Sequence, residues 1–255
     1  MLRAIALCLL LSGVAAPTRA GEPMSPVNRA GEQRMLSQRI VKFYCQVGLG
    51  VLPSHSAIQL QDSIARFEAN LEMLKPIAAQ QPETAQAFER LARAWEPVGA
   101  AASAVSNRDS ALALASYADD VLAAAERLTR AMEDASGQPI SHAINLAGRQ
   151  RMLSQRLAKA YMLRSWGVDT AWVRAEMDSA ANEFNGALTI LMTRPENSDQ
   201  IRGELQDLAL QWEWLQAAVS NEGASSYRLI VAEASEAILA AADRVTRLYD
   251  RAAQR

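Results

Sequence analysis

One short polar motif occurs twice in the chain, and it constrains the fold more than any other feature. Asn28-Arg-Ala-Gly31-Glu-Gln-Arg34-Met-Leu-Ser-Gln-Arg39 returns as Asn145-Leu-Ala-Gly148-Arg-Gln-Arg151-Met-Leu-Ser-Gln-Arg156. Over windows 27–44 and 144–161, 12 of 18 positions are identical at a constant offset of 117 residues, so the copies are a true repeat. The repeated part is polar. A duplicated core would repeat its apolar pattern, whereas here Asn, Gly, Arg, Gln, Ser and Lys recur in fixed order.

The offset extends beyond the motif without a gap. Phe67 falls on Phe184, Leu71 on Leu188 and Leu91-Ala-x-x-Trp95-Glu96 on Leu208-Ala-x-x-Trp212-Glu213. Val121-Leu-Ala-Ala-Ala-Glu126-Arg127 falls on Ile238-Leu-Ala-Ala-Ala-Asp243-Arg244. Outside the motif, 46–137 against 163–254, only 22 of 92 positions agree, so the motif has diverged far less than its surroundings. Equal loop lengths and a fixed period mark a tandem duplication.

Each half reads as four helices. The first is expected over about 26–47, broken by Gly48, Gly50 and Pro53, and the second over about 54–79. A third is expected over about 83–105 with a kink at Pro97, and a fourth from Asn107 to about Ala135. The spacing Leu60, Ile64, Phe67, Leu71 is an amphipathic helical stripe, and no stretch alternates in the strand manner. The second half repeats the plan from about Ser141. Its helices are broken at Thr193–Asn197, Gly223 precedes the last one, and Asp134–Ile140 is a natural hinge between halves. The expectation is an all-α protein of two tandem up-down four-helix bundles, 21–137 and 138–255. Ala- and Leu-rich composition with 5% aromatic residues agrees with helices packed on helices.

Residues 1–20 read as a signal peptide: Arg3, an apolar Ala4–Ala16, and small residues ending at Ala20. Its removal takes away two arginines and changes the net charge from −2 to about −4. The apolar stretch is too short to span a bilayer, and no later run approaches the roughly 20 residues a span needs. The expectation is a periplasmic chain without direct membrane insertion. Acidic balance gives no reason to expect a nucleic-acid partner. The mature chain keeps one cysteine, Cys45, which excludes an internal disulfide.

On a helical wheel, Leu36, Ile40 and Phe43 form a packing stripe, while Asn28, Gly31, Gln38, Arg39 and Lys42 share another side with Arg34 at its edge. Asn145, Gly148, Gln155, Arg156 and Lys159 do the same in the second copy. Glycine inside an exposed helix costs about 1 kcal/mol relative to alanine, and its usual return is close approach. Two copies of one helix can meet across a pseudo-twofold axis. Gly31 and Gly148 would then let the helices cross, and Arg34 and Arg151 would face one another. A planar oxyanion between the two guanidinium forks relieves their repulsion. Asn28, Asn145, Gln38 and Gln155 are placed to cap or orient the arginines.

The Asn-x-Ala-Gly-x-x-Arg-Met-x-Ser-x-Arg pattern resembles the box in the periplasmic sensor domains of nitrate/nitrite-responsive histidine kinases. Its Gln-Arg-Met-Leu-Ser-Gln-Arg core resembles still more closely the N-terminal domain of type IV pilus methyl-accepting chemotaxis transducers. His142-Ala-Ile-Asn145 adds to the kinase comparison, whereas the first copy has Ser25-Pro-Val-Asn28. The resemblance implies that motif helices pair and bind one small inorganic anion, nitrate or nitrite, through Arg34, Arg151, Gly31 and Gly148. It also implies a membrane-bound sensor or transducer as partner, since this chain has neither transmembrane helices nor a signalling module.

Other residues read as structure. Trp95 and Trp212 suit core packing, Cys45 a small buried site, and Arg39 and Arg156 structural pairing. His55 and His142 are isolated, so no metal or cofactor is expected. The carboxylates look scattered over outer faces. No nucleophile motif, phosphate loop or Glu-x-x-His pair suggests catalysis. Two functions stay open: a periplasmic oxyanion-binding sensory protein, and a ligand-free helical interaction module for a chemotaxis or pilus-related receptor.

Overall fold

The computed structural model describes residues 24–220 and 225–254. The expected signal peptide and Gly223 lie outside the described residues. The chain forms α1 (Pro26–Leu49), α2 (Pro53–Ala78), α3 (Pro82–Ser103), α4 (Arg108–Ser136), α5 (Pro139–Ser165), α6 (Ala171–Met192), α7 (Asp199–Ser220) and α8 (Ser225–Ala252). No strand occurs among the described residues.

Local chemistry sets most of the boundaries. Ser25 Oγ accepts from Asn28 N at the start of α1, Asn107 Oδ1 from Ser110 N at α4, and Thr170 Oγ1 from Val173 N at α6. Each satisfies a donor that the first turn leaves free. Proline stands at the first or second position of α1, α2, α3 and α5, where its missing N–H costs nothing. Gly50 and Gly137 end α1 and α4 in the left-handed region. Pro97 lies inside α3, as a kink position would. Two expectations need correction. The first helix continues through Gly48 to Leu49. The expected hinge at 134–140 is a two-residue connection, because α4 runs to Ser136 and α5 starts at Pro139.

Within the first half, α1 packs on α2 and α4, and α3 packs on α4; α5, α6, α8 and α7 repeat this arrangement. The most extensive packing of all joins α1 to α5. Their relative direction follows from α8. Asp250 accepts from Ser25 N and Asn28 Nδ2 at the start of α1, while Glu236 meets Arg39 and Lys42 further along. On α5, Asp243 meets Arg151 and the Ser235 carbonyl meets Gln155. Thus α8 runs antiparallel to both motif helices, and α1 and α5 are parallel. The two halves are related by a pseudo-twofold axis along the bundle, the geometry of an isologous dimer within one chain.

The cores repeat as well. Phe67 stacks on Trp95 with centroids 3.8 Å apart, and Phe184 on Trp212 at 3.7 Å. Motif glutamines fasten neighbouring helices to these stacks: Gln33 Nε2 donates to the Phe67 carbonyl and Gln150 Nε2 to that of Phe184. Trp212 also donates from Nε1 to Asn185 Oδ1. Truncating a buried tryptophan loses apolar contact and leaves a cavity, at a cost of about 3–5 kcal/mol. Trp212→Ala is expected to cost that much in urea unfolding. Trp214→Ala, at a site 76% exposed, should change stability by less than about 0.5 kcal/mol. Equal losses in the two variants would contradict this core assignment.

Candidate functional site

The motif helices carry charge into the middle of the molecule. Arg34, Arg151, Lys42 and Lys159 all have 0% exposure. From Val27 to Gln46 every residue of α1 is buried except Arg29 and Arg39. A buried charge is tolerable only when paired and hydrogen-bonded, and here the partners come from α4, α6 and α8.

The first layer contains the two arginines. Arg34 Nη1 meets Glu126 Oε2 at 2.6 Å, and Arg151 Nη1 meets Asp243 Oδ1 at 2.9 Å. These charged pairs lie within a half. The Nη2 atoms cross to the other half: Arg34 donates to the Asn145 carbonyl at 3.2 Å, and Arg151 to Asn28 Oδ1 at 2.7 Å. Asn28 Nδ2 in turn donates to Asp250 at 2.8 Å, and Asn145 Nδ2 donates to Glu133. Asn28 thus meets Arg151 through its side chain, and Asn145 meets Arg34 through its backbone carbonyl.

The glycines act differently from expectation. A Cβ at Gly31 would lie 3.0 Å from Arg34 Nη2, and one at Gly148 would lie 3.2 Å from Arg151 Nη2 and 3.6 Å from Arg34 Nη2. Their missing side chains make room for guanidinium groups, not for a backbone crossing. The convergence of both Nη2 atoms on Gly148 brings the two arginines together across the axis. Close approach belongs instead to Gly48, where a Cβ would meet the ring of Trp166, the residue that follows α5, at 2.0 Å.

The glutamines do not orient the arginines. Gln38 Nε2 donates to Ser37 Oγ and to the Ala118 carbonyl of α4, and Gln155 Nε2 to the Ser235 carbonyl of α8. Both fasten their helix to its own half, and their Oε1 atoms have no partner. The serines between turn back on the helix, Ser37 to the Arg34 carbonyl and Ser154 to that of Arg151.

A second layer, one to two turns along, carries the lysines, and each lysine has a carboxylate partner in the other half. Lys42 Nζ meets Glu236 of α8 at 2.5 Å, and Lys159 Nζ meets Asp119 of α4 at 2.9 Å and Glu176 of α6 at 2.8 Å. Arg39 joins Glu236, and Arg156 joins Glu176. The expectation that the carboxylates lie scattered on outer faces is thus corrected. Glu126, Asp243, Asp119 and Glu236 face the axis because the buried cations require counter-charges there. A signal for them was present: both acidic pairs stand at the 117-residue offset, and each keeps its charge sign although Glu and Asp exchange.

The flanks of the two arginine pairs differ. Arg149, opposite Glu32 in the repeat, adds a second cation to Glu126 at 3.0 Å and reaches Glu183 at 2.6 Å. Glu32 instead binds Arg66 and Asn70. A cavity of about 340 Å³ lies against Glu126, Arg130, Asn145 and Arg149, and one of about 330 Å³ lies against Glu32, Arg66, Asp243 and Arg247. Each arginine–carboxylate pair therefore has a polar cavity beside it.

Burial opposes ionisation throughout the site, and pairing decides the outcome. Burial lowers the Arg34 guanidinium from its ordinary value against the pull of Glu126. It lowers Lys42 to about 8 against Glu236. Burial works against the Glu126 and Glu236 carboxylates, but Arg34 and Lys42 with their neighbours hold both at about 2. For Asp119 burial prevails over Lys159, and its pKa is raised. Burial pushes the Cys45 thiol up to about 12, which makes it unreactive. Among the described residues no group of three or more His, Cys, Asp or Glu side chains is placed to hold a metal ion.

Fold and centre together define an all-helical double-bundle module whose halves meet through buried charges. The model of the PilJ family, type IV pili methyl-accepting chemotaxis transducer N-terminal domains, matches residues 25–121 and again 135–248. The chain belongs to that family, whose members are sensory domains of chemotaxis transducers. No curated protein and no solved structure matches it. No helix among the described residues is long and apolar enough to cross a membrane.

The depressed carboxylates predict an acid limb. A carboxylate held at about 2 when folded and near 4.5 when unfolded contributes stability above about pH 4.5, and loses it as pH falls toward 2. Unfolding free energy should be nearly level between about pH 5 and 7 and decline below it, by at most about 3 kcal/mol for each carboxylate. Glu236→Gln should lower neutral-pH stability and flatten that decline in urea titrations at successive pH values. A variant with the original slope would remove Glu236 from the account.

Proposed function

We propose that the protein is a periplasmic sensory module that captures one small oxyanion, nitrate or nitrite, at Arg34 and Arg151 and reports to a membrane-bound transducer. The observation that supports this reading is the convergence of the two Nη2 atoms on Gly148 from opposite halves. Their present acceptors, the Asn145 carbonyl and Asn28 Oδ1, are neutral. An incoming anion replaces these two while the charged Nη1 pairs with Glu126 and Asp243 stay in place. A charge-assisted bond is stronger than a neutral one, so the exchange favours the anion. The bonds it releases are ones that cross between halves, and binding thereby biases how the halves sit together. Gln38 and Gln155, which fasten each motif helix to its own half, keep the helices in register during that change.

A second reading, a ligand-free interaction module for a chemotaxis or pilus-related receptor, draws on the charge pairing already present. Both guanidinium groups are fully buried and already neutralised, as a static joint between halves requires.

Melting temperatures in nitrate, nitrite, sulfate and chloride separate the two. Ligand at 100 times its Kd adds about 2.7 kcal/mol, a rise of several degrees. Arg151→Lys keeps a charge opposite Asp243 but removes the fork, and is expected to abolish the rise. No response to any of the four anions in the native protein would rule out the oxyanion reading and leave the interaction module.

A further inference from the structure

At the end of the molecule where α1 and α5 begin, a cavity of about 510 Å³ opens between the halves. It lies away from both charged layers. The starts of α1 and α5, the α2–α3 turn and the last turns of α4 and α8 form its walls. In a chain with 21% charged residues, none of the described residues lining this cavity is charged. Val27, Ile77, Met132 and Ile144 supply apolar surface, and Gln81 and Ser141 supply neutral polar groups.

The duplication provides an internal comparison. At the 117-residue offset, Met132 corresponds to Tyr249, Gln80 to Asn197 and Ile77 to Arg194. In the second half the Tyr249 ring is buried, its hydroxyl donates to Asn197 Oδ1 at 2.6 Å, and Asn197 is fastened to the Leu191 carbonyl at 2.7 Å. Arg194 pairs there with Glu196. The same scaffold is thus filled and charged in one half, and open and neutral in the other. A core without a ligand to receive would be expected to close such a space, since voids cost stability.

We propose that this cavity is a second ligand site, for a small, uncharged and largely apolar molecule. Its volume falls within the roughly 300–1,000 Å³ of small-molecule sites. Absence of charge in its walls selects against ions, because a buried charge without a partner is strongly disfavoured. The ligand would touch both halves, α4 and the α2–α3 turn on one side and α5 and the end of α8 on the other.

Two fluorescent probes that differ by one sulfonate test the assignment: neutral N-phenyl-1-naphthylamine and anionic 8-anilinonaphthalene-1-sulfonate. The neutral probe should bind saturably at one per chain, with a Kd at least about tenfold lower than that of the anion. Met132→Tyr with Gln80→Asn rebuilds the filled arrangement of the second half, and should raise the neutral probe's Kd at least about tenfold. Circular dichroism should stay unchanged in that variant. Ile77→Arg, which introduces the charge found at Arg194, should do the same by a different route. Trp214→Ala, at an exposed position outside the cavity lining, should leave the Kd as it is. Absence of saturable uptake, equal binding of the two probes, or binding that both cavity variants leave intact would overturn the proposal. So would uptake that vanishes as protein concentration rises, the sign of a second copy in the cavity.

Discussion

Four cations with no exposure to water sit at the centre of this molecule, and their need for counter-charge governs the rest of the structure. An isolated ammonium or guanidinium at such a depth would lose its charge or prevent folding. Carboxylates must be delivered to fixed heights along α1 and α5, and only long helices running beside them can do so. Glu126 and Asp119 of α4 stand seven residues apart, as do Asp243 and Glu236 of α8. That spacing puts them on one helix face two turns apart, one for the arginine layer and one for the lysine layer. The register of α4 and α8 against the motif helices is therefore electrostatic as well as apolar. Removing one carboxylate strands a buried cation, which is costlier than the pair is stabilising.

Much of this was legible before any coordinates. A polar helix repeated at a constant offset implied two equivalent halves meeting through that helix, because a solvated polar face would have had no reason to keep glycine and serine in order. Four helices per half followed from the apolar spacing and from breaks such as Gly50 and Pro53. The roles of Gly31 and Gly148 were misread because a glycine in a helix marks close approach without saying by what. Arg34 fills its space from three residues further along the same helix, a contact invisible to any argument about partner helices. The carboxylates of α4 and α8 were missed for a different reason. In an amphipathic stretch a single acidic residue looks solvated, and only its recurrence at the offset separates Glu126 from ordinary surface charge. The cavity beside Met132 was invisible in principle, since Met and Tyr both read as core.

The two layers hold the halves together by different means. In the lysine layer the pairs that cross are ionic, Lys42 with Glu236 and Lys159 with Asp119. In the arginine layer the ion pairs of Arg34 and Arg151 stay within a half and their crossing bonds go to neutral acceptors, while Arg149 crosses to Glu126, Asn28 to Asp250 and Asn145 to Glu133. Separating the halves at either end would therefore break contacts to carboxylates in a water-poor interior, where they are strongest. What distinguishes the arginine end is that its two buried guanidinium groups cross through neutral hydrogen bonds, each with a net contribution of only about 1 kcal/mol. Those are the crossing bonds that can be exchanged without removing the counter-charge of a buried cation.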